Sequence, residues 1–362
     1  MRILHLAKYY WPRSGGMERV VQDLAEGAAA AGHEVSVVAV ESRIGGRVGG
    51  QRSTVTRVFS FGALGSEEIA PGYLTAARRR ADIIHLHHPH PLADVASLLR
   101  SRQTPLVVTQ HQDLRSPRYR FLARAVLRRA AAVVVPSRAH LALSQELEGF
   151  ENKTEVIPFG IDETRWADVA RRPLDAPPKA LFIGRLVKFK GLDVLLRALE
   201  RVPDLRLDIV GAGPEGPRLK TLTQALALAD RVRFYGEYPD DDLPRRMAEA
   251  DFLVLPSVTI DEMFGLVVLE AMAASRPVIT TAVPTGVREV NVPGETGLEV
   301  PVHDVRSLAE ALDTLARDPF KREKMGDAGR ARVEKYFTRQ LMTERHVALY
   351  ERVIAYNQAG GK

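Results

Sequence analysis

Short apolar, β-branched runs alternate with longer stretches of helical periodicity along the whole chain. Residues 3–6, 35–40, 83–86, 106–108 and 132–135 read as buried strands, and residues 17–31 and 119–129 between them as helices. The strand-like runs are continuously apolar rather than alternating. Such strands are covered on both faces, which predicts a parallel sheet. The pattern pauses over residues 166–179, where Arg171-Arg172-Pro173-Leu174-Asp175-Ala176-Pro177-Pro178 has linker chemistry. It then restarts, with strands over 181–183, 207–210, 232–234, 252–255 and 278–280 and helices over 192–201, 218–228, 243–250 and 266–274. The expected fold class is therefore α/β, with two doubly wound Rossmann-like domains. They span residues 1–170 and 171–337. Ligands of such sheets bind beyond the carboxyl ends of the strands, so the two domains are expected to face a shared cleft. A last helix, within residues 338–362, carries an apolar stripe of Leu341, Val347, Leu349, Tyr350, Val353 and Ile354 and is expected to cross back to the first domain.

Composition agrees with two cores. A chain of 362 residues, 45% hydrophobic and 27% charged, is too long for one core and too apolar for disorder. Cysteine is absent, which removes disulfides, thiolate metal sites and a thiol nucleophile and fits a reducing compartment. No apolar run reaches the ~18–20 residues that span a bilayer. The start, Met1-Arg2-Ile3-Leu4-His5-Leu6, reads as a core strand rather than a leader. The net charge of +6 is uneven: residues 1–170 hold 22 Lys and Arg against 17 Asp and Glu, and the remainder 29 against 28. Either this is an ordinary Arg-rich surface, or the first half meets anionic headgroups or a phosphorylated substrate. The basic amphipathic stretch over 118–129 admits the same two readings. It has no recognition module or aromatic platform beside it, so nucleic acid is not an expected partner.

Several motifs carry chemistry. Ser14-Gly15-Gly16 opens the first helix, where the paired glycines either serve turn geometry only or let backbone N–H groups approach an anion. Gly184-Arg185-Leu186-Val187-Lys188-Phe189-Lys190-Gly191 follows the first strand of the second domain and places Arg185 and Lys190 at a strand's carboxyl end, where they are either two solvated loop cations or the charges that would neutralise a diphosphate leaving there. The stretch from Ser257 to Ala273 is the most informative. Glu262 lies in a loop and Glu270 in the apolar helix behind it, a position where a charge needs a polar partner. Between them, the N–H groups of Gly265, Leu266 and Val267 at the helix start suit a phosphate. Carboxylates of this kind accept from sugar or ribose hydroxyls. His85-Leu86-His87-His88-Pro89-His90 has the look of a metal tract, and Asp240-Asp241-Asp242 that of a metal–nucleotide site, although acids before a helix also favour its dipole.

Taken in order, the Gly-Gly turn, Gly-Arg-Leu with Lys-Gly, Ile-Val-Gly-x-Gly-Pro, Phe-x-Gly, and Glu-x-Phe-Gly with Glu-Ala-Met-Ala resemble retaining, nucleotide-sugar-dependent glycosyltransferases of the GT-B fold, sequence family four. The resemblance spans nearly the whole chain. It implies that Arg185 and Lys190 grip the donor diphosphate, Glu262 the donor sugar and Glu270 the ribose. It also places Gly15, Gly16, Gly211, Phe264, Gly265, Leu266 and Val267 along the donor and Tyr235 near the nucleobase. His111, in Thr109-Gln110-His111-Gln112-Asp113, would stand beside the donor sugar as a catalytic residue together with Arg185, Lys190 and Glu262. Asp113 and His88 would lie on the acceptor side. Gln112 replaces the family's usual serine, which bears on substrate choice.

The same resemblance implies no required cofactor and no required metal. The substrate would be a nucleotide-diphosphate sugar, GDP-mannose before UDP-hexoses, and the sugar mannose or a related deoxyhexose. The acceptor would be a glycan or lipid-linked glycan in bacterial surface polysaccharide or glycolipid synthesis. The enzyme would be cytoplasmic and peripheral at the inner face of the cytoplasmic membrane, touching anionic lipid. Two other classes remain open from the residues: a nucleotide-sugar epimerase and a non-catalytic nucleotide-sugar-binding scaffold.

Overall fold

A computed structural model describes residues 1–13, 15–41, 47–49, 52–64, 67–113, 119–173 and 176–360. Ser14, Arg118, Leu174 and Asp175, which belong to motifs named above, lie outside the described residues. The chain forms two compact units, residues 1–160 with 339–362 and residues 161–338. The division falls at Gly160/Ile161, before the proline-rich stretch at 171–178. Residues 161–170 belong to the second unit, in which Trp166 is fully buried.

Unit 1 contains strands β1 (Arg2–Leu6), β2 (Glu34–Glu41), β3 (Arg47–Gly49), β4 (Thr54–Phe59), the two-stranded β5 (Ala63–Leu64) and β6 (Glu67–Glu68), then β7 (Ile83–His88), β8 (Leu106–Gln110), β9 (Ala132–Val135) and β10 (Thr154–Val156). Its main sheet has the order β10-β9-β8-β7-β1-β2-β4-β3 and is parallel except for the β3–β4 pair. The helices are α1 (Gly16–Ala30), α2 (Gly72–Ala76), α3 (Pro91–Leu98), α4 (Arg120–Arg129) and α5 (Arg138–Leu143). Successive strand residues alternate between two apolar layers. Leu4, Leu6, Ile84, Leu86 and Val108 lie in one, and Ile3, Val37, Ile83 and Val107 in the other. The C-terminal helix Arg339–Gln358 covers the second layer with Leu349, Tyr350 and Val353. Its buried face also takes Met342, Thr343 and His346, whereas Leu341 and Val347 are only half-buried. Polar side chains inside a hydrogen-bonded layer escape a purely apolar stripe.

Unit 2 contains β11 (Lys179–Ile183), α6 (Leu192–Leu199), β12 (Arg206–Val210), α7 (Gly216–Ala225), β13 (Val232–Gly236), α8 (Leu243–Ala248), β14 (Phe252–Leu255), α9 (Leu266–Ala273), β15 (Val278–Thr281), α10 (Val287–Val290), β16 (Gly297–Val300), α11 (Val305–Arg317) and α12 (Pro319–Tyr336). The six parallel strands run β13-β12-β11-β14-β15-β16. Strand order reverses between β11 and β14, the switch point at which doubly wound sheets open a crevice beyond their carboxyl ends.

Candidate active site

The loops after β11 and β14 flank that switch point and carry Lys190 and Glu262. Lys190 Nζ lies 2.5 Å from Glu262 Oε2 in a largely buried ion pair. Ser257 Oγ donates to the same carboxylate oxygen at 2.8 Å. Thr281 Oγ1, at the end of β15, donates to the Ser257 carbonyl and so fixes the Ser257 backbone. Glu262 and Glu270 are each 8% exposed. Arg185 is exposed and forms no ion pair among the described residues.

Backbone packing places these groups. Gly191, with φ 65°, precedes α6, and a Cβ there would stand 2.1 Å from the Pro256 carbonyl oxygen. Only glycine lets the β11 loop close onto the β14 loop, a closure sealed by the Val258 N–H donating to the Phe189 carbonyl at 2.7 Å. Gly211, with φ 131°, makes the corresponding approach to the Gly184 carbonyl, where a Cβ would stand at 2.0 Å. The Gly184 N–H donates to the Val210 carbonyl and the Leu186 N–H to the Ala212 carbonyl. Three consecutive strand ends are thus stitched into one floor. A Cβ on Gly184 would lie 3.5 Å from Lys190 Nζ, so the ammonium rests over that floor.

Gly265 precedes α9, whose first turn has no side-chain cap. The Leu266 and Val267 N–H groups therefore stand at an uncapped helix start, the positive end of the dipole. Phe264 turns inward instead. It is 4% exposed and packs edge-on against Phe337, so donor contact at that position would come from its backbone. The Tyr235 ring is covered by the Arg246 guanidinium, 4.0 Å from its centroid. Asp240 pairs with Arg165 at 3.1 Å. No side chain caps α8, so the three aspartates act there through charge and not through a capping bond.

Unit 1 carries a different constellation. His5 and His85 are register partners on β1 and β7, and His87 is the partner of Thr109 on β8. Their side chains share the sheet face covered by the C-terminal helix. His5 Nδ1 lies 3.0 Å from His87 Nε2, and His87 Nδ1 lies 3.1 Å from His111 Nε2. His85 is held by Tyr350 Oη at 2.5 Å and by Thr109 Oγ1 at 2.7 Å. Ring nitrogens of His5, His85 and His87 all fall within 4.8 Å of one another, so this triad has the proximity of a metal site, but of its ring nitrogens only His5 Nε2 is without a hydrogen-bond partner. The half-buried His111 ring stacks on Phe159. Burial drives His5 and His111 down to about 3 and His346 down to about 4, with neighbouring imidazoles adding to the shift of His5 and His111. All are neutral at physiological pH.

His88, on the opposite face, is the exception. Burial opposes its charge, but Asp94 at 3.0 Å and Glu146 at 3.4 Å hold it up to about 9. It is 1% exposed, an imidazolium locked between two carboxylates. Asp113 accepts from Gln110 Nε2 at 2.8 Å, from Ser144 Oγ at 2.5 Å and from the Gln145 N–H at 2.9 Å, which ties the loop after β8 to the end of α5. Gly15 sits in extended backbone ahead of α1, again with no side-chain cap. Ser257, Thr281, His5 and His87 carry structural consequences that the motifs alone did not assign. Their sequence signals, hydroxyls and imidazoles at strand carboxyl ends, are common to many α/β proteins.

Residues 14–165 match the family described as Glycosyltransferase Family 4, and residues 165–332 match Glycosyl transferases group 1. The chain is 30% identical over 357 residues to D-rhamnosyltransferase WbpZ of Pseudomonas aeruginosa, covering 93% of this chain and 92% of that one. It is 30% identical over 367 residues to the O-antigen chain mannosyltransferase C of Escherichia coli, covering 97% and 98%. Among solved structures it is similar to Anabaena HepE in complex with UDP and glucose, with a TM-score of 0.75, 22% identity and coverage of 97% and 100%. The chain belongs to the family 4 glycosyltransferases and has the GT-B fold.

Proposed function

We propose that this glycosyltransferase moves a hexose, mannose or a related deoxyhexose such as rhamnose, from a nucleotide-diphosphate donor with retention of anomeric configuration. The observation that carries the reading is the Lys190–Glu262 pair at the switch point of unit 2, beside the uncapped start of α9. Lys190 and the exposed Arg185 offer two cations to a diphosphate. The Leu266 and Val267 N–H groups offer an anion a further seat. Glu262 accepts from sugar hydroxyls once the diphosphate competes for Lys190, and Glu270 accepts from the ribose. Gly15 and Gly16 at the start of α1 and Gly211 approach the donor through backbone, and Tyr235 lies toward its base. His111 meets the donor sugar, with His88 and Asp113 shaping the acceptor side.

The anomeric carbon–oxygen bond breaks and its electron pair stays on the diphosphate, where Arg185 and Lys190 stabilise the growing charge. The acceptor oxygen bonds to the same face, and its proton passes to the departing phosphate oxygen. No protein nucleophile and no metal or cofactor enters this scheme. The rhamnosyl- and mannosyltransferase relatives support the sugar class and favour a glycan or lipid-linked acceptor in surface polysaccharide synthesis. HepE in complex with UDP supports a nucleotide donor. Among the described residues no helix is long and apolar enough to cross a membrane. Arg120, Phe121 and Arg128 are exposed on α4 and suit peripheral contact with anionic lipid at the inner face of the cytoplasmic membrane.

A panel of GDP- and UDP-sugars, scored by nucleotide release with and without glycan acceptors and by NMR of the product anomer, tests the reading. Acceptor-dependent release from GDP-mannose or GDP-rhamnose with a retained anomer is the expected result. Acceptor-independent sugar conversion would instead indicate an epimerase, binding without release a scaffold, and an inverted anomer would refute the mechanism.

A further inference from the structure

We infer that His87, backed by the buried His5, is a positioning residue that fixes His111 as a one-way hydrogen-bond donor, its Nδ1–H outward and its Nε2 accepting. This rests on the assignment of His111 to the donor sugar, and deepens it. The three imidazoles form one chain, His5 Nδ1 to His87 Nε2 at 3.0 Å and His87 Nδ1 to His111 Nε2 at 3.1 Å. A neutral imidazole has one N–H and one lone pair, so the two bonds must point the same way along the chain. If His111 donated inward, the last N–H would fall on His5 Nε2. That atom is buried and has no partner. If His5 donates outward, the buried end is a lone pair, and the last N–H falls on His111 Nδ1 of a half-buried ring. An orphaned buried N–H is the rarer and costlier defect, so the outward direction is selected.

Neighbouring groups leave this direction undisturbed. His346 Nδ1 must donate to the Met342 carbonyl, so its buried Nε2 is also a lone pair and offers His5 no proton. Both nitrogens of His85 are engaged, by Tyr350 and Thr109. Burial keeps His5, His87 and His111 neutral, which preserves the alternation of donor and acceptor. The chemical consequence is that His111 offers a proton to an oxygen of the sugar or phosphate and has no outward lone pair with which to act as a base. A sugar bearing an oxygen at the contacted carbon is favoured over its deoxy analogue, because only the former accepts that hydrogen bond.

Nitrogen-15 NMR of histidine-labelled protein distinguishes the two tautomers directly, with the His111 resonances assigned by their loss in His111→Gln. The expected spectrum shows His111 protonated at Nδ1. A wild-type His111 protonated at Nε2 overturns the inference, as does one equivalent of transition metal bound to His5, His85 and His87. In His87→Asn the amide nitrogen replaces Nδ1 and keeps the donor, so the tautomer and kcat are retained within about threefold. His87→Phe releases the tautomer and lowers kcat about three- to tenfold, the worth of one hydrogen bond, with a smaller change in donor KM. His5→Phe moves the buried end of the chain to His87 Nε2, where a lone pair is again preferred to an orphaned N–H, so the His111 tautomer is expected to persist; its loss in His5→Phe, or an unchanged His111 tautomer in His87→Phe, overturns the role of the chain. An Nδ1–H tautomer as expected, combined with a His111→Gln enzyme of undiminished rate, overturns instead the assignment of His111 to the sugar.

Discussion

The two units are built alike, each a doubly wound parallel sheet, yet they solve the problem of buried polarity in opposite ways. Nine of the ten histidines belong to unit 1, and most are buried and neutral; the one in unit 2, His303, is exposed. Unit 1 also buries His88 with Asp94 and Glu146, whereas the largely buried pairs of unit 2 join Lys or Arg to a carboxylate, Lys190 with Glu262, Lys179 with Asp208 and Arg172 with Asp251. Neutral imidazoles hold direction without charge, which suits a rigid contact that never leaves. Ion pairs bear a desolvation penalty. In the proposed function, the pair at the switch point would exchange its carboxylate for an incoming diphosphate. The difference teaches where each half does its work: unit 1 orients, unit 2 meets charge.

The largest test of this contrast is acid. His5, His90 and His111 are held near 3 and His140 and His346 near 4, below the unfolded value of 6.5, chiefly by burial. Between those values the unfolded chain binds more protons, so stability falls as pH drops below about 6.5, by up to ~1.4 kcal/mol per pH unit for each histidine. Amide exchange at pH 5 should therefore rise first in unit 1. Equal loss in both units would contradict the contrast.

Next in size, Lys190→Ala should lower kcat about 10²- to 10³-fold, as expected for a lost electrostatic contact to the leaving group, with unit 1 exchange unaltered. Gly211→Ala meets the Gly184 carbonyl in a left-handed region and should destabilise unit 2 by ~2–3 kcal/mol, read by urea unfolding. The smallest effect is alkaline. His88, raised to about 9 by Asp94 and Glu146 against burial, contributes stability that is complete below pH 6.5 and lost as pH rises through about 9. His88→Gln should flatten that slope, measured as Tm from pH 6.5 to 9.5.

Much of the fold was legible because buried parallel strands are continuous apolar runs. Residues 132–135 match β9, and 266–274 match α9 within a residue. Strands β7 and β8 run on through His87, His88, Thr109 and Gln110, where the apolar signal stops but hydrogen-bonded polar side chains remain buried. The alternating Thr54–Phe59 strand lacks a continuous run and was not anticipated. Glu262 and Lys190 are 72 positions apart, so no spacing announces their contact; the resemblance to a family singled them out, and the folded loops bring them together. The histidine chain is legible only once strand register is known, since it joins β1, β7 and the first residue after β8.

Arg185 offers the cleanest single measurement of the central claim, because its side chain is exposed and makes no ion pair among the described residues, so its removal leaves the fold alone. The rate of sugar transfer at saturating donor, compared between the wild type and Arg185→Ala, should fall about 10²-fold or more if a unit 2 cation stabilises the departing diphosphate. A rate within about threefold, less than ~1 kcal/mol, would contradict the account.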